Sequence, residues 1–590
     1  MKKKDNPPLP YKNLKIWRIF AILIIFSFIS ILLVVRLFQV QILKHKDYES
    51  MAANIQLTKI ENKANRGKIY DRNDNLLATN MKSLTIALDP QAVALIKDPA
   101  EIKKLRQFIL YINKITGIPA TKINNILKTS KSRYVILAKD LNIQYKDELK
   151  KNQVYGIIIE ENVARIYPNN NLASHLIGFV NFEGNGISGL ELQFDTLLLG
   201  KSGYFILKRD IHSELHAGAE LPSIEPVDGK NIALTLDAKL QSIVEYELAN
   251  GIESTQSDAG SVIIMNPNTG EVLAMASAPS FNPNILSQRK SEVVRNRAIT
   301  DEYEPGSTFK LVTAAAALEE KIVFPEQKFS GMNGAYKVGS SVISDVHPLG
   351  IVSFREATWH SSNVVFSQVA AKIPHNTFYK YIRDFGFALL TDIELPGEAR
   401  GRIPTPTEMN SVLQRWVGFG YGISATPLQM LCAYCVPANG GNLIKPYIIK
   451  SIYDDDGNIL YQGKPKIVRR VISKETSDTL KDLFTGIVEN GTGKAVRIKN
   501  LKIAGKTGTS QQLVRGVYSK SEYNASFVGF FPVDNPQIAI IVVLDNPKGN
   551  YYGGSTAAPI FRNIVLRIIT SSDILAKSAI LSSSEKASSP

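Results

Sequence analysis

Cysteine is nearly absent: 590 residues carry two, Cys432 and Cys435, both in the segment LCAYCVPANGG. The C-x-x-C spacing invites a redox reading, but its flanks read as a helix ending at Asn439-Gly440, with no thioredoxin-like unit around it. Both thiols are therefore expected to pack in a core. Metal-ligand spacing is missing as well. The segment HSELH (residues 212–216) is not H-E-x-x-H, and two histidines with one glutamate in a loop read as polar surface, so no metal and no cofactor is expected. The formal charge of +15 is spread along the chain, with no arginine-aromatic module and no nucleic-acid motif. Such a surface suits anionic lipid headgroups or an anionic polymer instead. There is no internal repeat, and after the N-terminus no apolar run is long enough to span a bilayer.

One such run does exist. The opening MKKKDNPPLPYKNLKIWR carries six Lys or Arg against one Asp, and IFAILIIFSFISILLVV (residues 19–35) follows it. Trp17 and the continuation RLFQVQIL bring the run to the length of one span. The excess of positive charge places the tail in the cytoplasm and the body across the membrane. Arg36, Leu37 and Phe38 stand where a small-x-small cleavage site would follow, so an uncleaved anchor is expected rather than a signal peptide.

The segment EPGSTFKLVTAAAALEE (residues 304–320) poses a chemical question. Its second half is apolar almost all the way round, as in a helix buried inside a large domain. Pro305-Gly306 end the preceding segment, so Ser307 falls at the helix start and Lys310 shares its face. An N-cap serine with a snorkelling lysine is the plain reading of any Ser-x-x-Lys. Ser287–Lys290 and Ser583–Lys586 repeat the pattern without an apolar helix behind it. At Ser307 the setting differs. The helix dipole and burial both disfavour the charged lysine, and a neutral amine beside a hydroxyl is a general base beside a nucleophile. Free N–H groups at the helix start offer part of an oxyanion hole. Acyl transfer is the reaction this predicts.

Two later segments supply partners. HSSNVVFSQVA places Ser361 and Asn363 ahead of an apolar helical run, which alone is an ordinary capping sequence. GKTGT (residues 505–509) reads as a strand carrying Lys506, Thr507 and Thr509, with Gly508 allowing close approach to the backbone. It is not a phosphate loop, because Asn500 stands where that motif needs glycine. Elsewhere, IALTLDAKLQSIVEYELAN predicts a strand, Asp237 as N-cap and a helix, and SVIIMNPNTGEVLAMAS predicts a hairpin. ASFVGFFPVDNPQIAIIVVLDNP predicts two more strands, and APIFRNIVLRIIT a closing helix, which together suggest one antiparallel sheet flanked by helices.

S-x-x-K, S-x-N and K-T-G in this order resemble the penicillin-binding proteins and serine β-lactamases. The anchor, RGKIYDRN (residues 66–73) and GISGLE (residues 186–191) look like the pedestal of class B penicillin-binding proteins. NRAITDEYEPGSTFK and GFGYGISATPLQM are similar to their transpeptidase domains. The resemblance implies an α/β fold. In it a single transmembrane helix and a mixed α+β pedestal precede a penicillin-binding, β-lactamase-like transpeptidase domain with an antiparallel sheet flanked by helices. The implied division of the chain is a cytoplasmic tail (1–18), an anchor (19–40), a pedestal of the dimerisation type (41–235), a transpeptidase domain (236–570) and a disordered tail (571–590).

It further implies a serine D,D-transpeptidase that cross-links peptidoglycan stem peptides ending in D-Ala-D-Ala and is acylated by β-lactams. Ser307 would be the nucleophile, Lys310 its base, Ser361 a proton relay to the leaving D-Ala, and Asn363 a holder of the stem peptide's amide and of Lys310. Lys506 would supply positive potential. Thr507 and Thr509 would bind the terminal carboxylate, and the N–H groups of Ser307 and Thr509 would form the oxyanion hole. RNRAITDEYEPGSTFK, NFEGNGISGLE and NPKGNYYGGSTAAPIF resemble the division-specific enzymes, with the side-wall enzyme as the alternative. The expected setting is the bacterial inner membrane at the division site, with the N-terminus cytoplasmic and the catalytic body periplasmic. The expected partners are a septal lipid-II-polymerising glycosyltransferase and other division proteins.

Overall fold

A computed structural model describes residues 16–209, 215–217 and 222–571. The basic tail before Ile16, His212 and the tail after Ser571 lie outside the described residues. Two compact units divide the chain, one of residues 1–64 with 201–227, the other of residues 65–200 with 228–590. In the first unit, helix α1 (Ile16–Phe38) runs on through a π-helical turn, Gln39–Leu43, with no buried residue. The resulting 28-residue helix has a mean hydropathy of 2.8 over its best window and is long and apolar enough to cross a membrane. The same unit holds Leu57–Asn62 paired antiparallel with Gly203–Arg209.

The second unit opens on β1 (Ile69–Tyr70) and the long β2 (Leu76–Leu88). Helices α2 (Pro99–Thr116) and α3 (Ala120–Thr129) follow, capped by Asp98 and preceded by Pro119 respectively. Strands β3 (Val135–Asn142) and β4 (Ile157–Ile166) both pair antiparallel with β2. Leu84, Ile86 and Leu88 of β2 bury against Phe108, Ile112 and Ile123 of the helices, a separate small core. Arg66 is held by two ionic contacts, to Glu191 at 2.6 Å and Asp195 at 2.7 Å, and Arg165 reaches the other oxygen of Glu191 at 2.7 Å. Glu191 is wholly buried, so only loss of both arginines would leave its carboxylate uncompensated, at a cost of about 3–5 kcal/mol. That is the physical content of the RGKIYDRN and GISGLE segments.

Strand β5 (Asn231–Leu234) is buried at every residue and pairs parallel with β1. Asp237 then caps α4 (Ala238–Thr255) by accepting from the Lys239 and Leu240 N–H groups, as its position predicts. Asp71, from the turn after β1, accepts from Ala238 N–H at 3.0 Å and so fastens the start of that helix. The hairpin expected around Asn266 is β6 (Ala259–Met265) and β7 (Val272–Ala278).

Three buried helices follow: α5 (Lys310–Glu319), α6 (Asn363–Ala370) and α7 (Pro427–Ala438). All twelve residues of α7 are buried, Cys432 and Cys435 among them as free thiols. Burial pushes both thiols up, Cys435 well above the ordinary value, which suits packing and not redox chemistry. Strand β8 (Ile449–Tyr453) pairs antiparallel with β5. Helix α8 (Lys474–Glu489) then leads to β9 (Ala504–Val514), β10 (Val517–Phe531), β11 (Ile538–Asp545) and the closing helix α9 (Ala557–Ser571). The main sheet runs β7-β6-β11-β10-β9 and is antiparallel throughout. β9 is its edge, and the GKTGT segment begins that edge.

Candidate active site

Ser307 lies in a single 3-10 turn, Gly306–Phe309, that runs directly into α5 at Lys310. In a 3-10 turn side chains three apart eclipse, so this geometry stacks Lys310 beneath Ser307 more closely than an α-helix would. Gly306 has φ +51° and an added Cβ would stand 2.8 Å from the Thr509 carbonyl oxygen, so only glycine lets the turn meet β9 there. Tyr434 of α7 donates to the Thr308 carbonyl at 2.9 Å and pins the turn from below. The Ser307 side chain caps nothing.

Ser361 and Asn363 arrive from another element. The cap of α6 is Ser362, whose hydroxyl accepts from Val365 N–H, and this frees the two flanking side chains. Ser361 has φ +57°, a strained left-handed conformation for a serine, which turns its side chain toward Ser307. Its Oγ stands 3.1 Å from Ser307 Oγ and 3.1 Å from Lys310 Nζ. Lys310 Nζ also donates to the Ser361 carbonyl at 2.5 Å and to Asn363 Oδ1 at 2.8 Å.

These three partners define what the amine can do. Two of them, the carbonyl and the amide oxygen, only accept; the third is a hydroxyl that either donates or accepts. A neutral amine has two N–H donors and one lone pair, and it satisfies the set by accepting from Ser361. An ammonium satisfies it by donating to all three. Burial first, then the charge of Lys506, hold Lys310 well below the ordinary lysine value, with Asp345 opposing. Burial therefore favours the neutral form. Ser361 thus stands between nucleophile and base, where the motif alone suggested direct contact between Ser307 and Lys310.

Lys506 is buried on β9, donating to the Thr507 carbonyl at 3.0 Å and Thr507 Oγ1 at 3.2 Å. Its partners carry no charge, and burial lowers its pKa to about 7. Below about pH 7 Lys506 is charged, and above it the charge is lost unless a bound anion restores it. Acylation by an anionic penicillin should therefore fall on the alkaline side, starting near pH 7, and on the acid side as Lys310 becomes protonated. Lys506→Gln should flatten the alkaline limb and cost about 10- to 100-fold at neutral pH. A parental alkaline limb in Lys506→Gln would mean that another group titrates there.

Four further residues belong to the site although no motif marks them. Asp345 accepts from Ser362 Oγ at 2.6 Å and Val364 N–H at 3.0 Å, holding the start of α6 and balancing Lys310. Thr492 accepts from Thr507 Oγ1 at 3.2 Å, and Gly553 N–H donates to Thr509 Oγ1 at 3.0 Å. Glu304 accepts from Gly422 N–H and Tyr518 Oη, and burial raises its pKa. It also lines a cavity of about 680 Å³ with Arg297, Asp301, Arg402, Gln511 and Tyr518. Neither Ser307 nor Lys310 lines that cavity.

Residues 260–566 match the model of the penicillin-binding protein transpeptidase domain, and residues 61–234 that of the penicillin-binding protein dimerisation domain. Stage V sporulation protein D of Bacillus subtilis is 31% identical over 562 residues, 93% of this chain and 84% of that protein. Peptidoglycan D,D-transpeptidase FtsI of Escherichia coli K12 is 31% identical over 512 residues, 86% of this chain and 84% of that protein. Among solved structures, penicillin-binding protein 2X of Streptococcus thermophilus superposes with a TM-score of 0.71 at 26% identity, over 88% of this chain and 81% of that one. Penicillin-binding protein 3 of Mycobacterium tuberculosis complexed with aztreonam gives 0.67 at 25% identity, over 87% and 97%.

Proposed function

This chain belongs to the class B penicillin-binding proteins, and on that premise we propose that it is a peptidoglycan D,D-transpeptidase whose acyl transfer runs along Ser307, Ser361 and Lys310. The observation that carries the reading is the continuous chain from Ser307 Oγ through Ser361 Oγ to Lys310 Nζ, two steps of 3.1 Å each.

As Ser307 Oγ attacks the carbonyl of the penultimate D-Ala, its proton passes to Ser361 Oγ, whose own proton passes to the neutral Lys310 amine. The negative charge on the carbonyl oxygen is met by the N–H groups of Ser307 and Thr509, the latter on the edge strand. When the peptide C–N bond breaks, the proton returns along the same path to the leaving D-Ala amine. A serine ester remains. The amine of a second stem peptide then attacks that ester, gives a proton to the same relay, and releases Ser307 with a new cross-link formed. Asn363 keeps Lys310 in register, and Lys506 with the GKTGT strand receives the terminal carboxylate. A β-lactam places its own carboxylate and strained amide in the same positions and stops at the ester.

The catalytic segment in this reading is 236–570, the pedestal 41–235, and residues 19–40 the membrane anchor, with the tail before it cytoplasmic and the catalytic body periplasmic. Its site of action is the septum, beside a lipid-II-polymerising glycosyltransferase. Similarity to FtsI and the three division-type segments support that placement. One strain, carrying an epitope before Trp17 and a repressible copy of the gene, tests both placements. Depletion should give filaments with unfinished septa, and protease entering through a permeabilised outer membrane should digest the body and spare the epitope. Swollen cells with normal septa would assign the protein to the side wall, and a digested epitope would reverse the topology.

A further inference from the structure

The segment NYYGG (residues 550–554) has no catalytic duty in the scheme above, yet its backbone lies flush against the GKTGT strand. A Cβ added to Gly553 would stand 2.3 Å from the Gly508 carbonyl oxygen and 2.4 Å from that of Ser526. Gly508 and Ser526 are direct partners across β9 and β10, so Gly553 sits on that pair. A Cβ on Gly508 itself would meet Thr308 at 2.9 Å and the Pro305 carbonyl at 3.1 Å. The strand is therefore gripped between the nucleophile turn and the Gly553 segment. Ring stacking anchors that segment: Tyr551 lies on Tyr523 of β10 with centroids 3.9 Å apart and planes 7° from parallel.

The grip makes the two threonine hydroxyls unequal. Thr507 Oγ1 accepts from Lys506 Nζ and donates to Thr492 Oγ1, so its proton is already in use. Thr509 Oγ1 accepts from Gly553 N–H, and among the described residues its own proton has no acceptor. A hydroxyl whose lone pair is engaged by a fixed N–H keeps one rotamer, and its proton points away from that donor.

We propose that Gly553 is a positioning residue for carboxylate recognition: its N–H holds Thr509 Oγ1 so that the Thr509 hydroxyl is the one that donates to the terminal carboxylate of the peptide or β-lactam. Thr507 serves instead to hold Lys506. The inference rests on the transpeptidase reading of the site and adds to it an unequal division of labour between the two threonines, with a second element enforcing it.

The test compares benzylpenicillin with a neutral acyl thioester that lacks a carboxylate, using the full-length protein in detergent. Thr509→Val should slow acylation by penicillin about 10- to 100-fold, and Thr509→Ser should restore it to within about 3-fold of the parent. Gly553→Ala should slow penicillin at least about 10-fold and should slow the thioester clearly less. Because both changes act through one hydroxyl, Gly553→Ala combined with Thr509→Val should be no slower than Thr509→Val alone. A parental penicillin rate in Gly553→Ala, an equal slowing of the thioester, or multiplying effects in the double variant would each overturn the proposal.

If Gly553→Ala does not fold, Thr507→Val decides. It should cost penicillin acylation clearly less than Thr509→Val, and equal or larger loss would overturn the inequality on which the proposal stands. Failure of the parent protein to react with penicillin at all would instead count against the transpeptidase reading.

Discussion

Protein carrying Ser307→Ala should fold as the parent does and take up no penicillin. The Ser307 side chain makes one hydrogen bond, to Ser361, and caps no helix, so its loss should change stability by less than about 1 kcal/mol. Acylation loses its nucleophile outright, a fall beyond about 10⁴-fold. Peptide mass mapping of the acylated parent should find the adduct on Ser307. Ser287, in an exposed 3-10 turn, and Ser583, outside the described residues, should both remain unmodified. An adduct at any other serine would end the assignment.

Lys310→Arg should fail nearly as badly as Lys310→Ala, by about 10²- to 10⁴-fold in acylation rate. Arginine keeps a positive charge beside Ser361, but it never offers a lone pair, so it cannot accept the proton that comes from Ser307. Lys310→Met, similar in length and apolar, separates chemistry from packing. It should melt close to the parent and acylate as poorly as Lys310→Ala. If the arginine variant reacted at close to the parental rate, Lys310 would be acting as a charge and the relay would need another base.

Much of this site could be read from the chain itself, because each motif sits on an element with a local cause. Asp237 caps its helix, Asn266 turns its hairpin, and Ser307, just after Pro305-Gly306, stands in the turn that runs into its buried helix. What stayed hidden depends on contacts between distant segments or on backbone conformation. The 3-10 turn at Gly306–Phe309 and the left-handed Ser361 are conformations that residue type alone does not dictate. The cap of α6 fell to Ser362, the middle serine of a segment in which any of three polar residues was a candidate. Asp345 reaches Ser362 from just past the hairpin of Ala335–Val338 and Ser341–Ser344, and Gly553 reaches Thr509 from beyond the sheet. Such residues are chosen by geometry after folding, and no spacing rule announces them.

The seven-stranded sheet that runs through β8, β5, β1 and β2 has a practical corollary. Strand β5 lies between β8, from the catalytic segment, and β1, from the segment before it. A truncated enzyme starting at residue 236 would therefore leave β8 with a bare row of backbone donors and acceptors on that flank, an invitation to precipitate or to capture strands from other molecules. The catalytic half is not a detachable part. Inhibitor screening and crystallisation are better served by soluble fragments that begin at Asn65 or earlier, since these retain the strand on which the catalytic fold leans.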